Sequence, residues 1–302
     1  MDRFRISATG HSLNYLPHYL AKAQGFFREQ GLDVTETVPR PWDLVLNEIA
    51  DGTAEAALGG IWVPSMFHGR GRRLVPFAQV SARAPLALIG RKAGGLPDVV
   101  GRTVLMKGSN GASVGIYFKM ILREAGIDPQ AVNYIQDLDG GILSSCFAGG
   151  MGDYLLIDLP NALAFEAAGK GVIAATFAMS GGNIPWSVYY CEGEGDERRH
   201  RFVRALEQGM DYLARAPEAE LMPFLRQTFP KMAPDILSRV LGIYRAQGMW
   251  TSPQIDVAAY DRWQTGIADA HLTDGPIPYD TLIDRSPLAA LQERPLVAGV
   301  ET

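Results

Sequence analysis

Tryptophan, aspartate and small polar residues recur where short apolar runs end, and those are the positions from which binding or acid–base chemistry would be done. The first such stretch is Gly10-His11-Ser12-Leu13-Asn14-Tyr15. His11, Asn14 and Tyr15 are candidate ligand contacts here. Ser12 or Asn14 can equally cap the helix that follows, by accepting its free amide hydrogens. The next, Pro39-Arg40-Pro41-Trp42-Asp43, offers an aromatic face in Trp42 and a carboxylate in Asp43, which a helix start favours through its dipole alone. Leu58-Gly59-Gly60-Ile61-Trp62 adds two glycines that permit close backbone approach and a second indole, Trp62, whose competing assignment is core packing. Ser81-Ala82-Arg83 contributes Arg83.

A second set follows. Lys107-Gly108-Ser109-Asn110-Gly111-Ala112-Ser113 puts glycines and hydroxyls at a strand-to-helix turn, where free N–H groups at a positive helix end suit a carboxylate, sulfonate or phosphate. Ser109, Asn110 and Ser113 are its candidates. Asp139-Gly140-Gly141 and Asp158-Leu159-Pro160 are expected opposite that turn; Asp158 ends an apolar strand and either binds a ligand donor or caps Asn161 onward. Trp186 follows Pro185 near a predicted crossing. His18 falls inside a predicted helix and is assigned to structure. Aromatic side chains converging on strand ends point to a planar or aromatic ligand with an anionic group.

Other chemistries are excluded. The chain is read as lacking a serine-hydrolase elbow, a histidine-pair metal helix and a Walker motif, and its five histidines show no ligand spacing. Cys146 and Cys191 stand alone, without a C-x-x-C, so neither zinc nor a disulfide framework is indicated and no cofactor is expected. Both are read as small buried hydrophobes.

The elements that must carry these loops alternate. Strands are expected at 4–8, 32–39, 54–58, 74–79 and 86–90, with helices at 16–30, 41–51 and 63–68. The alternation restarts at 103–106, with a helix to about Ala125, strands at 132–136, 154–157 and 172–177, and a helix at 161–168. Strand–helix alternation means a mostly parallel sheet wrapped by helices, so the class is α/β. From Glu197 on the periodicity is helical, with Pro217, Pro223, Pro230, Pro234 and Pro253 marking boundaries. Two α/β units joined by extended segments near 88–92 and 185–191 imply two lobes crossed twice. Lobe I is expected at 1–89 and 190–302, lobe II at 90–189. Ligands of such sheets bind outside the carboxyl ends of the strands, so the cleft between lobes is the expected site.

Composition agrees with a globular chain of 302 residues: 28 basic against 33 acidic side chains, net −5, and 47% hydrophobic. An acidic balance argues against nucleic acid, since phosphate binding needs a basic stripe; the stretch His68-Gly69-Arg70-Gly71-Arg72-Arg73 is read as a solvated loop. No apolar run is long enough to insert in a membrane. Met1 to Gly10 reads as a strand rather than an export signal. The chain is therefore expected to be cytoplasmic if Met1 is the native start, and periplasmic if a signal was removed.

From Asn14 to Val34 the sequence strongly resembles the nitrate/sulfonate/taurine-type substrate-binding proteins of ABC transporters, a superfamily that includes the thiamine-pyrimidine synthases. The resemblance continues through Asn47–Leu58, Gly101–Val104 with its Gly-Ser loop, Gly126–Pro129 and Gly275–Asp284. It implies a type II periplasmic-binding-protein fold: two α/β lobes with a hinge and a helical C-terminal tail, closing on one small organic ligand, with an ABC permease as partner if the protein is exported. The synthases' cysteine-rich iron motif is absent here. The alternative is a cytoplasmic lyase on the same fold, decarboxylase- or desulfinase-like, with His11 or Asp158 as its acid–base group; the cysteine nucleophile of such desulfinases is missing from the first loop.

Overall fold

The computed structural model describes residues 1–107, 113–193 and 195–292. Its strands are β1 (Asp2–Ala8), β2 (Leu32–Thr37), β3 (Ala56–Gly59), β4 (Leu74–Ser81), β5 (Leu86–Gly90), β6 (Thr103–Met106), β7 (Asn133–Ile135), β8 (Tyr154–Asp158), β9 (Val172–Thr176) and β10 (Ser187–Glu192). They form two five-stranded sheets, ordered β2-β1-β3-β10-β4 and β7-β6-β8-β5-β9. The sheets have the same plan: in each, one strand that follows a crossing from the other sheet runs antiparallel among four parallel ones.

That plan fixes where the chain changes lobe. β4 ends at Ser81 in the first sheet and β5 begins at Leu86 in the second; β9 ends at Thr176 in the second and β10 begins at Ser187 in the first. The expected boundaries at 89/90 and 189/190 therefore cut through β5 and β10. An apolar run such as Leu86–Gly90 carries no mark of which sheet it joins, because both faces are buried in either case.

Helices cover both sheets: α1 (Leu16–Ala23), α2 (Phe26–Glu29), α3 (Val45–Ala50) and α4 (Trp62–Phe67) around the first, α5 (Ser113–Glu124), α6 (Gly140–Ala148), α7 (Leu159–Ala167) and α8 (Phe177–Ser180) around the second. The single helix expected at 16–30 is broken at Gly25, whose φ of +85° suits glycine alone and turns the chain so that Phe27 is buried. The helix expected at 41–51 opens instead as a 3-10 turn over Trp42–Leu44. Helix α6 was not expected. Its Gly140-Gly141 start reads as loop, and the Asp139 carboxylate, accepting from Gly141 N at 2.8 Å, supplies the cap that offsets it.

The C-terminal part is helical, through α9 (Glu197–Arg215), α10 (Glu218–Thr228), α11 (Pro234–Ala246), α12 (Val257–Asp269), α13 (Tyr279–Leu282) and α14 (Ser286–Gln292). Pro223 lies inside α10 rather than between helices; burial of Leu221 and Leu225 on either side holds that turn despite the missing N–H. These helices are more than a tail. α9 packs on α1, α11 on α7, and α12 on both α4 and α5, so the C-terminal part touches both lobes. Two large apolar cores result, each drawing side chains from both sheets. Cys191 is buried as expected, while Cys146 is only half-buried.

Candidate functional site

The register of the crossing strands shows how the sheets face each other. Ser187 at the start of β10 pairs with Ser81 at the carboxyl end of β4, and Leu86 at the start of β5 pairs with Asp158 at the carboxyl end of β8. Both crossings thus leave and enter at carboxyl ends. The two carboxyl edges flank one hinge, and among the described residues the loops that follow Ala8, Thr37, Gly59, Ile135 and Asp158 leave from those edges.

On the first edge the loop after β1 is held by Asn14, which is 2% exposed. Its Nδ2 donates to Ser81 Oγ at 3.2 Å and Ser187 Oγ at 3.3 Å, its Oδ1 accepts a short bond from Ser12 Oγ, and its carbonyl accepts from Trp250 Nε1 at 2.9 Å. Asn14 therefore joins the first loop to both crossings. The crossings are also bonded to each other, by Ile184 N to Ala82 O and Trp186 N to Ser81 O, and to the segment before α12 by Ala82 N to Met249 O. Tyr15 is buried, its hydroxyl 3.4 Å from Thr9 Oγ1, and burial raises its pKa. No cap is made by Ser12.

His11 is exposed, but its ring lies 4.9 Å from those of Tyr19 and Phe229 and its Nε2 is 3.0 Å from Thr228 O, which ties it to the end of α10. His18 is 1% exposed, with Nδ1 3.1 Å from Tyr189 Oη, and is structural as expected. Trp42 is 41% exposed and meets Trp62 edge-on, with centroids 5.9 Å apart. Gly60 makes that arrangement possible, since a Cβ there would lie 2.5 Å from the Trp62 indole. Asp43 is exposed in the 3-10 turn. Arg83 sits in the first crossing and donates from Nη1 to Ala178 O and Met179 O, both at 3.2 Å, so it braces the hinge. Trp186 is buried against Tyr117 and Trp263 at 5.6 and 6.4 Å, in the packing behind the hinge rather than in the cleft.

The second edge carries a recess of about 570 Å³ between the carboxyl ends of β6 and β8. Leu86, Leu143, Ile157 and Phe165 supply apolar wall, and Lys107, Asp139, Ser144, Asp158 and Asn161 supply polar groups. The Asp158 carboxylate accepts from Asn161 N at 3.1 Å and Asn161 Nδ2 at 2.7 Å, so it caps α7; burial raises its pKa, against the pull of these bonds. Of the two alternatives for Asp158 the structure shows the cap, and the residue also lines the recess. Ser109 and Asn110 lie outside the described residues. Sequence reasoning missed Ser81 and Ser187 as partners of Asn14, since nothing in a linear reading links residues so far apart.

The expectation of no hydrolase elbow needs correction. Gly111-Ala112-Ser113-Val114-Gly115 has that spacing, and Ser113 opens α5 after β6. Among the described residues no histidine is hydrogen-bonded to Ser113, and none of its carboxylates, histidines and cysteines gather as a metal site. No helix among them is long and apolar enough to cross a membrane.

Two α/β lobes with facing carboxyl edges and a double crossing define a periplasmic-binding-protein fold. The NMT1/THI5-like family model matches residues 12–220, and the chain belongs to that family. It is 24% identical to YtlA of Bacillus subtilis (strain 168), carried as a candidate binding protein, over 94% of this chain and 88% of that one. Among solved structures it is similar to the periplasmic aliphatic sulphonate binding protein SsuA from Escherichia coli, at 15% identity and a TM-score of 0.73, covering 94% of this chain and 97% of that one. It is also similar to the desulfurization enzyme DSZB in complex with biphenyl-2-sulfinic acid, at 14% identity and a TM-score of 0.68, covering 97% and 99%. Binder and enzyme share this fold, so the fold alone does not choose between them.

Proposed function

We propose that the protein is the solute-binding component of an ABC-type uptake system, which closes its lobes on one small organic ligand and delivers it to a permease outside the cytoplasmic membrane. The ligand has a planar or aromatic body and an anionic group. The observation that supports this reading is Trp42: a large apolar side chain left 41% exposed in the loop after β2 and set edge-on against Trp62. Exposure of an indole costs apolar burial that a planar ligand restores. The lyase alternative gains nothing comparable, because His11 is tied to Thr228 O and Asp158 to Asn161.

The test starts from native mass spectrometry of the purified protein to identify a co-purified ligand. Its affinity is then measured by calorimetry in the parent and in Trp42→Ala. A loss of about tenfold or more, with unfolding free energy unchanged to within about 0.5 kcal/mol, supports the reading. Turnover of the ligand on incubation, or stabilisation only by aliphatic cations or sugars, refutes it.

A further inference from the structure

Ten large apolar side chains are exposed among the described residues, and four of them fall in two short stretches: Val38 and Trp42 after β2, at 41% each, and Leu138 and Ile142 after β7, at 40% and 53%. β2 and β7 hold the same place in their sheets, first in the orders β2-β1-β3-β10-β4 and β7-β6-β8-β5-β9. The cores show how these two ends lie. α1 and α5 follow the corresponding strands β1 and β6, yet they belong to different cores: α1 shares one with α7 of the second sheet, and α5 shares the other with α4 of the first. A half-turn that brings one lobe onto the other therefore exchanges the two faces and reverses the strand direction, which leaves the order of strands running the same way. β2 and β7 thus lie at one end of the cleft, and the crossings beside β4, β10, β5 and β9 lie at the other.

Local structure keeps these side chains out of the cores. Trp42 rests edge-on against Trp62, and Asp137, one position before Leu138, holds a φ of +70°, a left-handed conformation that L-residues rarely adopt. We infer that the stretches after β2 and β7 are the two halves of an apolar clasp: Val38 and Trp42 meet Leu138 and Ile142 when the lobes rotate together, and the surface they bury favours the closed state. A contact made in only one of two states shifts the population between them and leaves the other state as it was. Loops far from a hinge also travel farthest for a given rotation, so the clasp is the last contact to form on closing. The inference rests on the closure that the uptake reading requires, and adds to it a driving force independent of ligand chemistry. An indole has two faces and an edge, so Trp42 serves the ligand and the clasp together.

The experiment needs no ligand. Val38→Cys and Leu138→Cys are combined in a Cys146→Ser background, Cys191 being buried, and the protein is oxidised with copper phenanthroline. Formation of the intramolecular disulfide is followed by non-reducing electrophoresis and intact mass. It is expected to be about tenfold faster or more than in a control pair, Val38→Cys with Met151→Cys, because Met151 is 49% exposed but precedes β8 at the opposite edge of its sheet. Ile142→Ser, added to the clasp pair, removes exposed apolar surface, and is expected to slow the disulfide about threefold or more while the melting temperature stays within about 2 °C. A smaller advantage over the control pair, or a smaller slowing by Ile142→Ser, overturns the inference. The two readings fail separately: a clasp pair that cross-links as expected in a protein that turns over its co-purified ligand leaves the clasp and sinks uptake. A pair no faster than the control, in a protein whose co-purified ligand still binds and is weakened by Trp42→Ala, sinks the clasp and leaves uptake.

Discussion

Replacing Asn14 by alanine should destabilise the unliganded protein substantially, because this side chain is a buried junction between the first loop and both crossings. It makes three side-chain hydrogen bonds at 2% exposure, to Ser12, Ser81 and Ser187. Each bond is worth about 1 kcal/mol net, and hydroxyls left without a partner add to that. Some of the loss is recovered when the serine hydroxyls rotate toward other acceptors. The expected cost is about 2–4 kcal/mol, or a fall in melting temperature of about 5–10 °C for a chain of this size. Urea denaturation followed by circular dichroism measures it, with an unchanged m-value showing that the native state stays compact. A cycle with Ser81→Ala should show a coupling of about 1 kcal/mol. If Asn14 were instead an open ligand contact, removing it would cost little without ligand. A loss below about 0.5 kcal/mol in Asn14→Ala, with no coupling to Ser81, refutes the junction.

Glu36 carries a pH-dependent part of the stability. The His18 imidazole and the Lys22 ammonium, whose Nζ is 2.6 Å away, hold its carboxyl at about 2 against the opposing effect of burial. A depressed carboxyl stabilises the fold above its ordinary value near 4.5, and that stability is lost as pH falls from there toward 2. His18 Nε2 stands 3.8 Å off, too far for a hydrogen bond, so the contribution is on the order of 2 kcal/mol. Glu36→Gln should flatten this part of the acid limb in denaturant melts at stepped pH, and an unchanged limb would count against the assignment. Gly60→Ala should displace the Trp62 indole, cost about 1–3 kcal/mol and shift tryptophan emission; a variant with parental melting and emission would show that the indole has room to move.

Much of the fold was legible because strands and helices announce themselves locally. Short apolar runs gave β1, β3, β5, β6 and β8, and the order of strand and helix gave the two-lobe class. Where local chemistry conflicts with packing, the reading failed. Gly140-Gly141 is a poor helix start until Asp139 caps it, Pro223 breaks a helix unless neighbours hold the turn, and Gly25 looks like a helix interior until its φ of +85° is seen.

The candidate site divides in the same way. The positions of Trp42, Trp62 and Asp158 at strand ends follow from the order of apolar and polar residues alone. Whether each side chain faces the cleft does not. Trp42 and Trp186 are the same residue type in similar proline-adjacent loops, yet one is exposed at the carboxyl edge and the other is packed on Tyr117 and Trp263 from α5 and α12. Asn14 has the type of a ligand contact, and its partners at positions 81 and 187 turn it into a joint. Sequence determined the elements and the loops because those depend on neighbours along the chain; the tertiary structure alone decided which loop residues meet a ligand and which meet the hinge, because that depends on residues brought together only when β10 and β5 cross between the sheets.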